Sequence, residues 1–98
     1  MVSTNKVAIV TASDSGIGKQ CALVLAKQGF DIGITWHSDE EGAKATAREV
    51  EALGRRAEHV HLDLGHLPEG AEAITTLIER FGRIDALVNN AGAMSKAQ

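Results

Sequence analysis

Ninety-eight residues suffice for one domain and not for two, and 44% apolar with 23% charged residues is the make-up of an ordinary globular chain. A net charge of −3 gives nucleic acid or an anionic membrane no electrostatic hold, and no run approaches the roughly 18 apolar residues of a membrane span. The single cysteine, Cys21, excludes an intramolecular disulfide, and the polar N-terminus with the short apolar run behind it does not make a signal peptide. The expectation is a cytoplasmic protein with neither nucleic acid nor membrane as partner, in which Cys21 is a small buried hydrophobe on a helix.

Taken in chain order, Val7 to Val10 is apolar on both faces, which suits a strand buried inside a parallel sheet. It ends in Thr11-Ala12-Ser13-Asp14-Ser15-Gly16, after which the pattern turns helical from Ile17 to Gln28. Ile17, Cys21, Val24 and Leu25 form its apolar face, and Gly29 stands where a helix C-cap belongs. Asp31 to Trp36 is a second strand, with Gly33 either admitting a close neighbour or weakening the strand. Ser38-Asp39-Glu40-Glu41 reads as a capping box, with Ser38 as N-cap and acids at the positive end of the helix dipole. That helix runs to about Leu53 and stops at Gly54.

Ala57 to Leu62 is a third strand. Pro68 suits the first position of a third helix, which carries Ile74, Leu77, Ile78 and Phe81 inward and ends at Gly82. Ile84 to Val88 is a fourth strand, followed by Asn89-Asn90-Ala91-Gly92. Strictly alternating strands and helices with short links predict an α/β fold: a Rossmann-like, doubly wound parallel sheet. Right-handed crossovers give it the strand order 3-2-1-4, with two helices on one face and the third on the other. Residues 1–98 form a single, partial domain, cut short after the fourth strand. That strand becomes an edge although its sequence is that of a central one, so an unpaired edge and a half-covered face invite self-association.

The glycine-rich junction between the first strand and the first helix carries the chemistry. A helix N-terminus presents unpaired backbone N–H groups and a positive dipole end, which favour phosphate. Glycines there let a diphosphate approach the backbone with no Cβ in the way. Position in an alternating α/β pattern, rather than glycine content alone, makes the junction a candidate dinucleotide site.

Its spacing is not G-x-G-x-x-G. Thr11-Ala12 followed by Gly16-Ile17-Gly18 resembles the T-G-x-x-x-G-I-G motif of the short-chain dehydrogenase/reductase family. Asn89-Asn90-Ala91-Gly92 after the fourth strand resembles that family's second signature, and Asp63-Leu64 after the third strand resembles its third. The resemblance runs from Lys6 to Gly92, with Ala12 standing where the family has its first glycine.

The resemblance implies that the chain binds NAD(P)(H). On it, Gly16, Ile17 and Gly18 would wrap the diphosphate, and Ser13 and Ser15 would hydrogen-bond it or the adenosine ribose. Asp63 would accept from the adenine amino group, with the Leu64 N–H beside it, while Asn90, Ala91 and Gly92 would line the ribose on the nicotinamide side. In NAD-type relatives an aspartate at the end of the second strand repels a 2′-phosphate. Trp36 stands there instead, and His37 follows where NADP-type relatives often have a cation. Asp14 in the glycine turn opposes a phosphate, and the balance leans to NADP(H).

The same resemblance implies alcohol/carbonyl hydride transfer by a serine and a Tyr-x-x-x-Lys pair beyond the fourth strand. The chain contains no tyrosine, so it has no catalytic residues of its own and is expected to be inactive alone. The leading reading is the cofactor-binding half of such an oxidoreductase. Its partners would be the dinucleotide, and either the missing C-terminal half or a second copy along the fourth-strand edge. The alternative is a non-catalytic dinucleotide-binding module that pairs with another chain. A methyltransferase-type Rossmann fold is disfavoured by Asn89-Asn90-Ala91-Gly92. His59 and His61, two apart on one strand, with His66 nearby, lack the further converging ligands a metal site needs.

Overall fold

The structure, a computed structural model, describes residues 5–11, 16–37, 39–62 and 69–88, and the side chains of all of these except 69–71. Its elements alternate throughout: β1 (Val7–Val10), α1 (Gly16–Lys27), β2 (Asp31–Trp36), α2 (Glu40–Ala52), β3 (Ala57–His61), α3 (Glu69–Phe81) and β4 (Ala86–Val88). The described strands form one parallel sheet in the order β3-β2-β1-β4, the expected Rossmann-like order and one that right-handed crossovers allow. Val7 pairs with Asp31 and Ala8 with Ala86, so β1 is hydrogen-bonded on both sides.

Burial follows from that position. All four residues of β1 are 0% exposed. Ala8 and Val10 point into one core with Ile32 and Ile34 of β2, Ala22 and Ala26 of α1, and Ala43, Ala47 and Val50 of α2. Val7 and Ile9 point the other way, against Leu77 and Phe81 of α3. A strand with helices on both faces must be apolar at every position, and this one is.

Gly33 explains how α3 seats so closely. A Cβ built there would lie 3.0 Å from Ile9 Cγ1 and 3.2 Å from Leu77 Cδ1. The missing side chain is the room in which those two side chains lie, and this close approach is the stronger of the two roles expected for the residue.

Both helices on the α1–α2 face end alike. Phe30 N–H donates to the Leu25 carbonyl and Gly29 N–H to that of Ala26, at 3.1 and 3.0 Å. Arg55 and Gly54 repeat the pattern on Val50 and Glu51, at 3.3 and 2.9 Å. These are paired Schellman closures, and they need the left-handed backbone of Gly29 (φ 103) and Gly54 (φ 85).

Four expectations are corrected. The helix α1 turns Gly18, Ala22 and Ala26 to the sheet, while Ile17 is 70% and Val24 50% exposed and Cys21 is half-buried. Small residues let the helix axis approach β1 and β2, whose branched side chains fill the interface. Of the expected stripe, Ile17 and Val24 therefore face away, while Cys21 and Leu25 pack half-buried against the edge of the core. The N-cap of α2 is Asp39, not Ser38, since Asp39 Oδ1 accepts from Gly42 N–H at 2.9 Å; Ser38 itself lies outside the described residues. The strand β3 stops at His61, although Leu62 N–H still reaches the Trp36 carbonyl at 2.8 Å. Finally β4 begins at Ala86, because Asp85 spends its side chain and its N–H on the start of β1 rather than extending the strand.

The amino-terminal edge of the sheet is held by carboxylates. Asp31 Oδ1 accepts from Arg56 N–H at 3.0 Å, and Asp85 Oδ2 from Val7 N–H at 2.8 Å. Arg83 grips Asp85 with both arms of its fork, Nη2 to Oδ1 at 2.7 Å and Nε to Oδ2 at 2.9 Å. That pair raises the Arg83 guanidinium and, helped by the Val7 N–H, holds the Asp85 carboxyl below the usual carboxylate range.

A carboxylate whose folded-state pKa is depressed stabilises the fold above its unfolded pKa of about 4, and that contribution fades as pH falls through the lower folded value. Asp85→Asn is therefore expected to melt below the wild type at neutral pH, with the gap closing below about pH 4. Thermal melts of the two proteins between neutral and acid pH check this; a gap independent of pH would remove the charge from the explanation.

Candidate dinucleotide site

The opposite, carboxyl-terminal edge of the sheet carries the candidate site. The first strand is followed by Thr11, 5% exposed, whose N–H donates to the Val88 carbonyl at 3.0 Å and whose hydroxyl donates to the same oxygen at 3.3 Å. Two bonds to one carbonyl lock the ends of β1 and β4 side by side. The helix α1 then opens at Gly16 with φ 62, a left-handed backbone that side-chain-bearing residues rarely adopt. Among the described residues, apart from its own chain neighbours and helix backbone, nothing lies within 4 Å of where a Gly16 Cβ would stand. The glycine lies at the positive end of a helix dipole, where a diphosphate cradle is expected.

Gly18 does something different. It is buried on the stripe that continues through Ala22 and Ala26, so its contribution is the close seating of α1 on the sheet. Ile17 between them is directed outward. Gly16, Ile17, Lys19, Gln20, Cys21, Val24, Leu25 and Val88 line a mostly apolar cavity of 670 Å³ beside the open edge of β4. The resemblance named Gly16 and Ile17 for this region; the other six were not named as site residues, because only the packing of α1 and β4 brings them together there.

At the end of β2, Trp36 is partly buried and His37 exposed. Register sets Trp36 opposite His61 on β3, with ring centroids 4.7 Å apart. The Trp36 indole N–H is buried and has no acceptor among the described residues. The His61 side chain, considered from sequence only as a metal ligand, instead meets Trp36 and His37. Among the described residues no three His, Cys, Asp or Glu side chains converge on a metal position.

The structure thus brings together Thr11, Gly16, Ile17, Gly18, Trp36 and His37 along one edge of the sheet. Ser13, Asp14, Ser15, Asp63, Leu64, Asn90, Ala91 and Gly92 lie outside the described residues, as does Ala12. No helix among the described residues is long and apolar enough to cross a membrane.

Comparison with known proteins decides the family. Residues 6–98 match the family model described as short chain dehydrogenase. The chain belongs to the short chain dehydrogenase family. It is 77% identical over 92 residues to the uncharacterized oxidoreductase YohF of Escherichia coli K12, covering 94% of this chain and 36% of that protein. With the 3-oxoacyl-[acyl-carrier-protein] reductase FabG of Staphylococcus epidermidis it shares 34% over 88 residues, covering 90% and 36%. Among solved structures, acetoin dehydrogenase from Enterobacter cloacae superposes with a TM-score of 0.86 at 73% identity, over 88% of this chain and 35% of that one. The acetoin dehydrogenase YohF from Salmonella typhimurium gives 0.84 at 70% identity, over 86% and 35%.

The chain therefore spans about a third of the length of the short chain dehydrogenases it matches. It corresponds to their N-terminal, cofactor-binding part. Members of this family are oxidoreductases that use NAD(P)(H), which fits the Gly16 cradle at the head of α1.

Proposed function

We propose that this chain is the dinucleotide-holding part of an NAD(P)-dependent oxidoreductase that interconverts a hydroxyl and a carbonyl group, with a small hydroxyketone of the acetoin type as the substrate class. The observation that carries the reading is Gly16, at φ 62, opening α1 at the carboxyl edge of β1 with no described side chain against the place of its Cβ. Two acetoin dehydrogenases at 73% and 70% identity support the substrate class. A buried indole N–H on Trp36 without an acceptor among the described residues suits a ligand that brings one to the adenosine end of the site.

The residues divide the labour along the edge. The backbone N–H groups that open α1 hold the diphosphate, with Ser13 and Ser15 as further donors. Trp36 and His37, Asp63 and Leu64 hold the adenosine end, and Asn90, Ala91 and Gly92 the nicotinamide ribose. The bound dinucleotide supplies or takes up the hydride. With no aspartate at the end of β2 and an imidazole at His37, the site favours NADP(H), since a ring N–H there can donate to a 2′-phosphate. The setting is cytoplasmic.

Without a tyrosine, this chain holds no phenol to move the substrate proton, so it binds cofactor and does not turn over by itself. Its partner is the remaining two-thirds of a longer chain or, failing that, a second copy along β4. Leu87, 53% exposed on β4, and the outward Ile17 and Val24 are the apolar surface such a partner covers.

Titration calorimetry of the chain with NADP⁺ is expected to show saturable one-to-one binding, with no NADPH consumption on acetoin or diacetyl. Supplying the C-terminal two-thirds of a close relative in trans is expected to restore turnover and abolish self-association in sedimentation runs. Absence of binding would overturn the cofactor reading; turnover by the purified chain alone would overturn its dependence on a partner.

A further inference from the structure

The last ladder bond between β2 and β3 is Leu62 N–H to the Trp36 carbonyl, and His37 lies one residue beyond it. A single side chain from β3 reaches past that point. The His61 Nε2 lies 2.9 Å from the His37 carbonyl oxygen, which can only accept, so Nε2 carries the proton and donates. The two imidazoles stack at 18° with centroids 6.0 Å apart, while the same His61 ring lies against Trp36 at 58°. One side chain therefore touches both the backbone and the ring of the residue that ends the second strand's run, and braces the tryptophan before it.

We propose that His61 is a positioning residue: it holds the His37 imidazole at the carboxyl edge of the sheet and thereby sets the preference for a dinucleotide bearing a 2′-phosphate. This rests on the reading of His37 given under the proposed function and adds a residue to it. The physical reason is orientation. An exposed imidazole past the end of a strand samples several rotamers, and only those that direct a ring N–H toward the phosphate bind it. The stacked partner removes rotamers, and the hydrogen bond fixes the backbone from which the ring hangs. Asp39, two residues on from His37, caps α2 through the Gly42 N–H.

Removing His61 should then weaken phosphate selection without weakening dinucleotide binding in general. His61→Ala is expected to lower the NADP⁺/NAD⁺ affinity ratio about two- to tenfold, the range spanned by one hydrogen bond, while NAD⁺ affinity stays within about twofold. His61→Gln, whose amide N–H can reach the same carbonyl, should recover most of the ratio. His61→Ala combined with His37→Gln should lower it no further than His37→Gln does alone, because both act through one imidazole.

Trp36, the chain's one tryptophan, supplies a readout independent of affinity. Its emission should change on binding NADP⁺ in the wild type, and differ in the His61→Ala protein before any ligand is added. Equal loss of NAD⁺ and NADP⁺ affinity in His61→Ala would show a merely structural role and overturn the proposal, as would additive losses in the double variant. An unchanged ratio in His61→Ala beside a lowered one in His37→Gln overturns the role of His61 and leaves that of His37 standing. An unchanged ratio in His37→Gln itself overturns both.

Discussion

Phe81→Ala is expected to lower stability by about 3–5 kcal/mol, the usual cost of emptying a buried aromatic site. Its ring is 0% exposed and closes the α3 side of the core with Val7, Ile9 and Leu77. The Arg56 guanidinium covers it from 4.8 Å, and the same guanidinium donates to the Arg80 carbonyl at 2.8 Å. Losing the ring therefore opens a void, uncovers a cation and loosens the end of α3 together. Against a typical total of roughly 5–15 kcal/mol, that is a large share of the stability, and the denaturation midpoint should fall accordingly. Chemical denaturation followed by Trp36 emission measures it. The neighbouring glycine provides an internal check: Gly33→Ala alone should destabilise, because its Cβ meets Ile9 and Leu77 at 3.0 and 3.2 Å. In the Phe81→Ala background Leu77 gains room to yield, so the double variant should lose less than the sum. Strict additivity would mean that the two sites do not share the space the structure gives them.

Gly16→Val is expected to abolish dinucleotide binding at millimolar concentrations while leaving a folded, if weakened, protein. Two effects combine. A β-branched residue at φ 62 is strained by about 1–3 kcal/mol. The new side chain also occupies the space in front of the helix N-terminus, where none of the described side chains comes within 4 Å of the Cβ position. Gly16→Asn separates them, because asparagine tolerates the left-handed region and still carries a Cβ. Its melting temperature should stay close to wild type while its affinity for NADP⁺ falls at least tenfold, the cost of about 1.4 kcal/mol at the phosphate. Circular dichroism and calorimetry on the three proteins decide the point. Wild-type affinity in Gly16→Asn would place the diphosphate somewhere other than the head of α1.

Much of this fold was legible because parallel α/β units leave few choices. The second strand was read at its observed limits, Asp31 and Trp36, and the glycines that end the helices were visible as punctuation. The strand order follows from right-handed crossovers together with the Rossmann-like pattern. The inward face of α1 was not legible, since a helix with apolar residues most of the way round can bury either stripe. Only the branched side chains on β1 and β2 select the one made of Gly18, Ala22 and Ala26. The capping of α2 failed by one residue because Ser38 and Asp39 are both good N-caps, and their sequence context does not rank them.

The site divides in the same way. Gly16 was found because phosphate cradles need glycine at a strand-to-helix junction, a local rule. The meeting of Trp36, His37 and His61 depends on the register between β2 and β3, which no local pattern encodes. His61 was therefore noticed for its metal-binding chemistry and not for its neighbours.

Asp31 and Asp85 have a consequence for anyone who would rebuild the molecule. Each stitches the start of one strand to the next, at the hem of the sheet farthest from the ligand. The segments at the ligand end are thus free of that stitching. Swapping them for those of another oxidoreductase should alter what is bound without unpicking how the strands are aligned, provided both aspartates are kept.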